Sequence, residues 1–153
     1  MLRLSWLNRW HIRLLSCSLL WALVVVGSTL GAAPAQDARS VWTGVYTEAQ
    51  AQRGAELYDK TCSRCHGKAL EGADAAALTG KEFMTARDGT TLDKLFKKIL
   101  DTMPDDDPGT LKPPQAADVT AHILAVNKFP AGEAELSTDA DQLKTIKIEA
   151  TKK

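Results

Sequence analysis

Two cysteines three positions apart, with a histidine directly after the second, are the residues of this chain best suited to chemistry: Cys62-Ser63-Arg64-Cys65-His66. Three chemistries use that spacing. A dithiol redox pair wants a strand before the motif and a helix opening at its first cysteine. Here a helical stretch comes before it, which is the wrong setting. A zinc site wants four ligands from Cys and His, and beyond the first forty residues only His122 is left to join these three. Haem attachment suits the spacing. The two thiols add across the two vinyl groups of one porphyrin, and the histidine then lies under the iron. The motif therefore predicts one covalently bound haem c, with Cys62 and Cys65 as attachment sites and His66 as proximal iron ligand.

An iron held this way needs its histidine oriented, so the other ring nitrogen of His66 should donate to a backbone carbonyl. The sixth position has three candidates: Met84, Met103 and His122. A methionine ligand favours reduced iron and raises the potential. Met103 stands at a helix end on a loop stiffened by Pro104, from which its side chain can swing over the porphyrin. Met84 follows Phe83 in a short apolar piece, the setting of a core filler. His122 lies mid-helix between Ala121 and Ile123, the setting of a packed side chain. The residues favour Met103; Met84, His122 and an open position stay as alternatives.

The elements that must position these groups read as all-α, with about three main helices around the haem. Thr47-Glu48-Ala49-Gln50 has the form of a capping box, and a helix runs from there to about Lys60. Gly54 weakens that helix and needs a packing reason; with Tyr58 four residues on, it marks a face where another helix can cross closely. Gly67 to Asp88 is loop-like, rich in Ala and Gly. After a cap at Thr90-Thr91, Leu92, Leu95, Phe96, Ile99 and Leu100 follow at helical spacing, opposite Lys94, Lys97, Lys98 and Asp101. Met103-Pro104 stops the helix. A connector with three consecutive acids leads to a helix starting near Pro114, lined by Val119, Ile123, Leu124 and Val126 and capped by Asn127. Residues 36–46 read as an extended lead-in, 47–130 as the haem domain and 131–153 as an extended tail lying over it, frayed at Lys152 and Lys153. With so few aromatic residues the core would be small without the porphyrin, so the haem-free chain should fold poorly.

The first 35 residues have the character of an export signal. Arg3, Arg9 and Arg13 precede an apolar run from about Leu14 to Leu30, and Ala33-Pro34-Ala35 has the small-x-small form of a cleavage site. The expectation is cleavage near Ala35 and a periplasmic protein. The alternative is a retained membrane anchor, since the run approaches a spanning length. Cys17 lies inside the run as a small apolar residue. The whole chain has nineteen basic and nineteen acidic residues. Losing the three arginines leaves sixteen against nineteen, a net charge of −3. That balance argues against a nucleic-acid partner, which would need clustered Lys and Arg.

Over roughly residues 45–130 the sequence resembles class I cytochrome c, through the Cys62–His66 motif, the Gly54/Tyr58 helix, Met103-Pro104 and the closing helix. A narrower likeness runs through Thr102-Met103-Pro104, Asp107-Pro108-Gly109, Asp118-Val119, Ile123-Leu124 and Asn127-Lys128-Phe129-Pro130-Ala131-Gly132. These resemble the cytochrome domains associated with quinoprotein alcohol dehydrogenases, in which the cytochrome takes electrons from a pyrroloquinoline quinone enzyme. The resemblance implies Cys62, Cys65, His66 and Met103 as the haem residues. It also marks two departures. His122 stands where the family usually has an aromatic packed against the Gly54 turn. Ala76 stands where a proline often presents its carbonyl to the proximal histidine. Arg87 resembles a position that often approaches a haem propionate.

The expected function is single-electron transfer between redox proteins, not enzymatic catalysis, with a quinoprotein dehydrogenase as donor and a terminal oxidase or another cytochrome as acceptor. Such partners meet through small, short-lived contacts. One alternative is a haem enzyme, a peroxidase or gas binder with a labile sixth ligand. Another is a subunit of a larger dehydrogenase or oxidase, ligated in the same way.

Overall fold

The first of the main helices, α1 (Glu48–Thr61), starts where the sequence places its cap: Thr47 is extended and its hydroxyl accepts from the Gln50 amide at 3.1 Å. The computed structural model describes residues 39–152. The export segment 1–35 with Cys17, the start of the lead-in and Lys153 lie outside them. A short motif helix, α2 (Ser63–His66), follows α1 almost without a break, Cys62 closing one and opening the other. Then come α3 (Gly80–Arg87), α4 (Leu92–Thr102), α5 (Pro113–Val126) and a single turn, α6 (Ala140–Leu143). Two-residue strands β1 (Arg39–Ser40) and β2 (Ile146–Lys147) pair in parallel, Arg39 beside Ile146 and Ser40 beside Lys147. The class is all-α, and no described helix is long and apolar enough to cross a membrane.

The core sits between α1, α4 and α5. The apolar stripe of α4 buries Leu92, Leu95, Phe96 and Ile99 and leaves Lys94, Lys97 and Lys98 exposed, as an amphipathic helix should. α5 is buried over most of its surface and uses small residues, Ala116, Ala117 and Ala121, to let its neighbours approach. Its buried Thr120 hydroxyl donates back to the Ala116 carbonyl at 2.7 Å, so no polar atom is stranded.

Gly54 has the packing reason its position demanded. α1 and α5 cross there so closely that a Cβ at Gly54 would overlap the Asp118 carbonyl and press on the Cβ of His122. Beside the crossing, the Arg53 guanidinium grips both oxygens of Asp118, at 3.1 and 2.9 Å, and reaches Glu135 at 2.8 Å.

Three local readings differ from the structure. The stretch from Gly67 to Asp88 is not all loop, because Gly80–Arg87 is helical. Phe83 is its one buried residue, so no apolar stripe announces it. The signal is tertiary: the Asn127 side chain accepts from the Gly80 amide and the Thr79 hydroxyl, both at 3.3 Å, and donates to the Leu78 carbonyl at 2.9 Å. The capping box is only half made. Gln50 is 2 % exposed and bonds the Leu136 backbone through both ends of its amide, at 3.2 and 2.6 Å. The tail is more than an extended strap, since it contains α6 and β2 and buries Leu136, Leu143, Ile146 and Ile148.

Candidate haem site

The end of α1 and the whole of α2 present the motif. The Cys62 amide donates to the Tyr58 carbonyl at 2.8 Å, carrying α1 to the first cysteine. The His66 amide donates to the Cys62 carbonyl at 3.0 Å, which closes the turn. Cys62 and Cys65 are free thiols, both half-buried. Burial pushes the Cys62 thiol up, so the folded chain holds it as a neutral S–H. After His66 the chain reverses at Gly67 in a positive-φ conformation open to glycine. The Tyr58 hydroxyl donates to the Gly67 carbonyl at 2.7 Å. This bond ties the turn back to the helix that precedes the motif.

His66 is oriented as a metal ligand needs to be. Its Nδ1 lies 2.7 Å from the Ala76 carbonyl oxygen, so the proton on Nδ1 points at a backbone acceptor and Nε2 is the nitrogen left for iron. The carbonyl comes from alanine, and no proline is required. Around it the loop is laced to the motif, with Gly72 N donating to His66 O at 2.8 Å and Ala75 N to Cys65 O at 2.9 Å.

Met103 caps α4. Its amide donates to Ile99 O at 3.2 Å, its backbone turns extended, and its side chain is half-buried. The loop beyond is braced by Asp107 N to Pro104 O at 3.1 Å and by the Thr110 hydroxyl to Asp107 O at 2.9 Å. One side-chain contact joins this loop to the motif: Arg64 Nη2 donates to Asp106 Oδ2 at 2.5 Å, across 42 residues of sequence. The sequence does not mark this contact. Asp106 is one of three consecutive acids in a connector, and nothing local says which of them faces the motif.

The other two sixth-ligand candidates both make packing contacts. Met84 is packed against the hydrophobic core beside Phe83 on α3. His122 lies at the α1–α5 crossing with its ring 5.3 Å from that of Tyr58, tilted at 53°. It fills the aromatic position at the Gly54 turn. Arg87 closes α3, and its backbone carbonyl accepts from both the amide and the hydroxyl of Thr90, at 2.9 and 2.7 Å.

The donor set fits haem c: two unpaired thiols on one helical turn, an imidazole already oriented through Nδ1, and a thioether on a loop joined to that turn. Residues 49–123, just under half of the chain, match the family model described as cytochrome C oxidase, cbb3-type, subunit III. A 58-residue stretch is 41% identical to cytochrome c-551 of Bacillus subtilis (strain 168), covering 38% of this chain and 51% of that protein. Both matches support a class I c-type cytochrome for the chain. Its cofactor is covalently bound haem c, and its matched stretch spans about half the length of the curated relative. No solved structure matches.

His122 gives a prediction of its own. Desolvation at the helix crossing pushes its pKa below the ordinary value, so folding opposes its protonation. As pH falls through about 6.5, where an unfolded imidazole titrates, the unfolded chain takes up the proton first and stability is lost. The ring of Tyr58 faces His122 from α1, and Glu48 and Lys128 line with His122 an open groove of about 490 Å³. Urea unfolding of the haem-loaded protein at pH 8 and pH 5 should show a smaller loss for His122→Phe than for wild type. Equal losses would show that His122 titrates alike folded and unfolded.

Proposed function

We propose that this cytochrome is an exported, periplasmic single-electron carrier in which Cys62 and Cys65 hold the haem and His66 and Met103 fill both axial positions. Haem supplies a reversible one-electron couple at its iron. What the chain supplies is attachment, orientation and closure. Cys62 and Cys65 fix the porphyrin to α2, the Ala76 carbonyl holds the His66 ring, and the α4 end with its braced loop brings up Met103. The observation that carries the reading is the contact between the Met103 loop and the motif helix, Arg64 to Asp106. It sets the thioether loop beside the turn that carries His66. An iron with both positions filled has no place for peroxide or oxygen.

The finer reading takes electrons from a dehydrogenase-type donor, with a quinoprotein as the specific candidate, and passes them to an oxidase or another cytochrome. The Thr102–Gly109 and Asn127–Gly132 strings support the donor side. The oxidase-subunit description of the matching family model supports a place near a terminal oxidase. Copurification of a large quinoprotein, or of an oxidase, would decide between them.

The axial set is tested by absorption spectra of wild type and Met103→Ala, expressed with haem-maturation machinery. Wild type should be low-spin with the weak near-infrared band of sulfur on ferric iron. The variant should turn high-spin, lose that band and show a lower reduction potential. A wild type already high-spin, or spectra indifferent to the change, would remove Met103 from the iron and favour the haem-enzyme alternative.

A further inference from the structure

Arg64 and Asp106 are both exposed, 76% and 61% in their side chains, yet meet at 2.5 Å. Arg64 lies between the two cysteines, and its guanidinium reaches the Cys65 sulfur as well as Asp106. Asp106 is three residues past Met103, inside the turn closed by Asp107 N and Pro104 O. Among the described residues, the Met103 loop has two kinds of polar hold, besides the burial of Leu111 in the core. Bonds to α4 and within itself fix its shape. The pair with Arg64 fixes where that shape sits relative to the attachment helix. Asp105 and Asp107 are exposed neighbours of the same charge, so Asp106 is the carboxylate singled out by geometry.

We propose that the Arg64–Asp106 pair is a clasp that holds the Met103 loop against the attachment helix, so that its opening frees the sixth position to outside ligands. The inference rests on Met103 being the sixth ligand. Arg64 and Asp106 are positioning residues: they act through Met103 and hold the closed loop in preference to the open one. Because the pair is solvent-exposed its worth is modest, and salt should weaken it. The quantity to watch is therefore an equilibrium between Met103 and a competitor.

The test is imidazole titration of the ferric haem-loaded protein, followed by loss of the near-infrared sulfur band, in wild type, Asp106→Asn, Asp106→Arg, Arg64→Asp and the exchanged pair Arg64→Asp/Asp106→Arg. The Asp106 variants leave the attachment motif whole, so they remain informative if Arg64→Asp impairs haem loading. Asp106→Asn should bind imidazole about 3-fold more tightly than wild type at low salt, Asp106→Arg more tightly still, and the exchanged pair should return to near wild type. The difference between wild type and Asp106→Asn should shrink at about 1 M salt, where the screening length is only about 3 Å. Thermal midpoints should be alike across the Asp106 variants, which separates a clasp from general destabilisation. Unchanged imidazole affinity in both Asp106 variants, or a difference indifferent to salt, would overturn the clasp while leaving Met103 ligation standing. A wild type without the sulfur band would overturn both.

Discussion

A chain with Cys62 and Cys65 both changed to alanine is expected to carry no covalent haem and to lose most of its cooperative unfolding. The first half follows from chemistry. These are the free thiols of the described residues, and covalent retention through a denaturing gel requires a thioether to at least one. The second half follows from packing. The described core is built from aliphatic residues of modest size around Tyr46, Tyr58, Phe83, Phe96 and Phe129, and Cys62 and Met84 are only half-covered at its edge. A bound porphyrin stabilises the folded state preferentially. Haem-stained denaturing gels and thermal circular dichroism check the two halves separately. Each single alanine variant should keep its stain through the remaining thioether. Stain persisting in the double variant would overturn the assignment of both cysteines.

Gly54→Ala should destabilise the fold, although inside an ordinary helix the same change gains about 1 kcal/mol. The reversal comes from the crossing. The new methyl would enter the Asp118 carbonyl, a backbone atom that cannot rotate away, and would crowd His122. Relief requires the two helices to part, and their separation would stretch the Arg53 contacts to Asp118. Overpacking of this kind costs about 1–3 kcal/mol for a methyl group, and Gly54→Val should cost more. In a domain of this size each kcal/mol lowers the midpoint by roughly 4–8 °C. Thermal melts of the haem-loaded variants give the answer, and an unchanged or raised midpoint for Gly54→Ala would mean that the crossing has room to spare.

The parts legible in the sequence are those whose signal is local or whose spacing is chemically constrained. Thr47, the stripe of α4, the proline start of α5 and Asn127 at its end all declare themselves within a turn or two. The Cys62–His66 motif declares its chemistry because few reactions use two thiols and an imidazole at that spacing. Gly54 announced a close approach without naming its partner, which turned out to be Asp118. What stayed hidden is what depends on distant residues. α3 has one buried side chain and is held from α5 by Asn127. Gln50 could be read as a capping residue only because Leu136, its actual partner, is 86 positions away. Arg64 and Asp106 are surface charges in sequence and a contact in space.

The lead-in and the tail share one fate. β1 has β2 as its ladder partner, the Trp42 indole donates to the Glu149 carbonyl at 2.9 Å, and Gly44 meets Gly132 backbone to backbone. Each contact spans nearly the whole domain, so each closes a very long loop and repays its entropy only once everything between is in place. During synthesis, the ladder of Arg39 and Ser40 and the indole bond of Trp42 must therefore wait until residues 145–149 arrive. A chain cut short at α6 would leave Arg39 and Ser40 without their ladder partner, one truncation deserting a segment a hundred residues away.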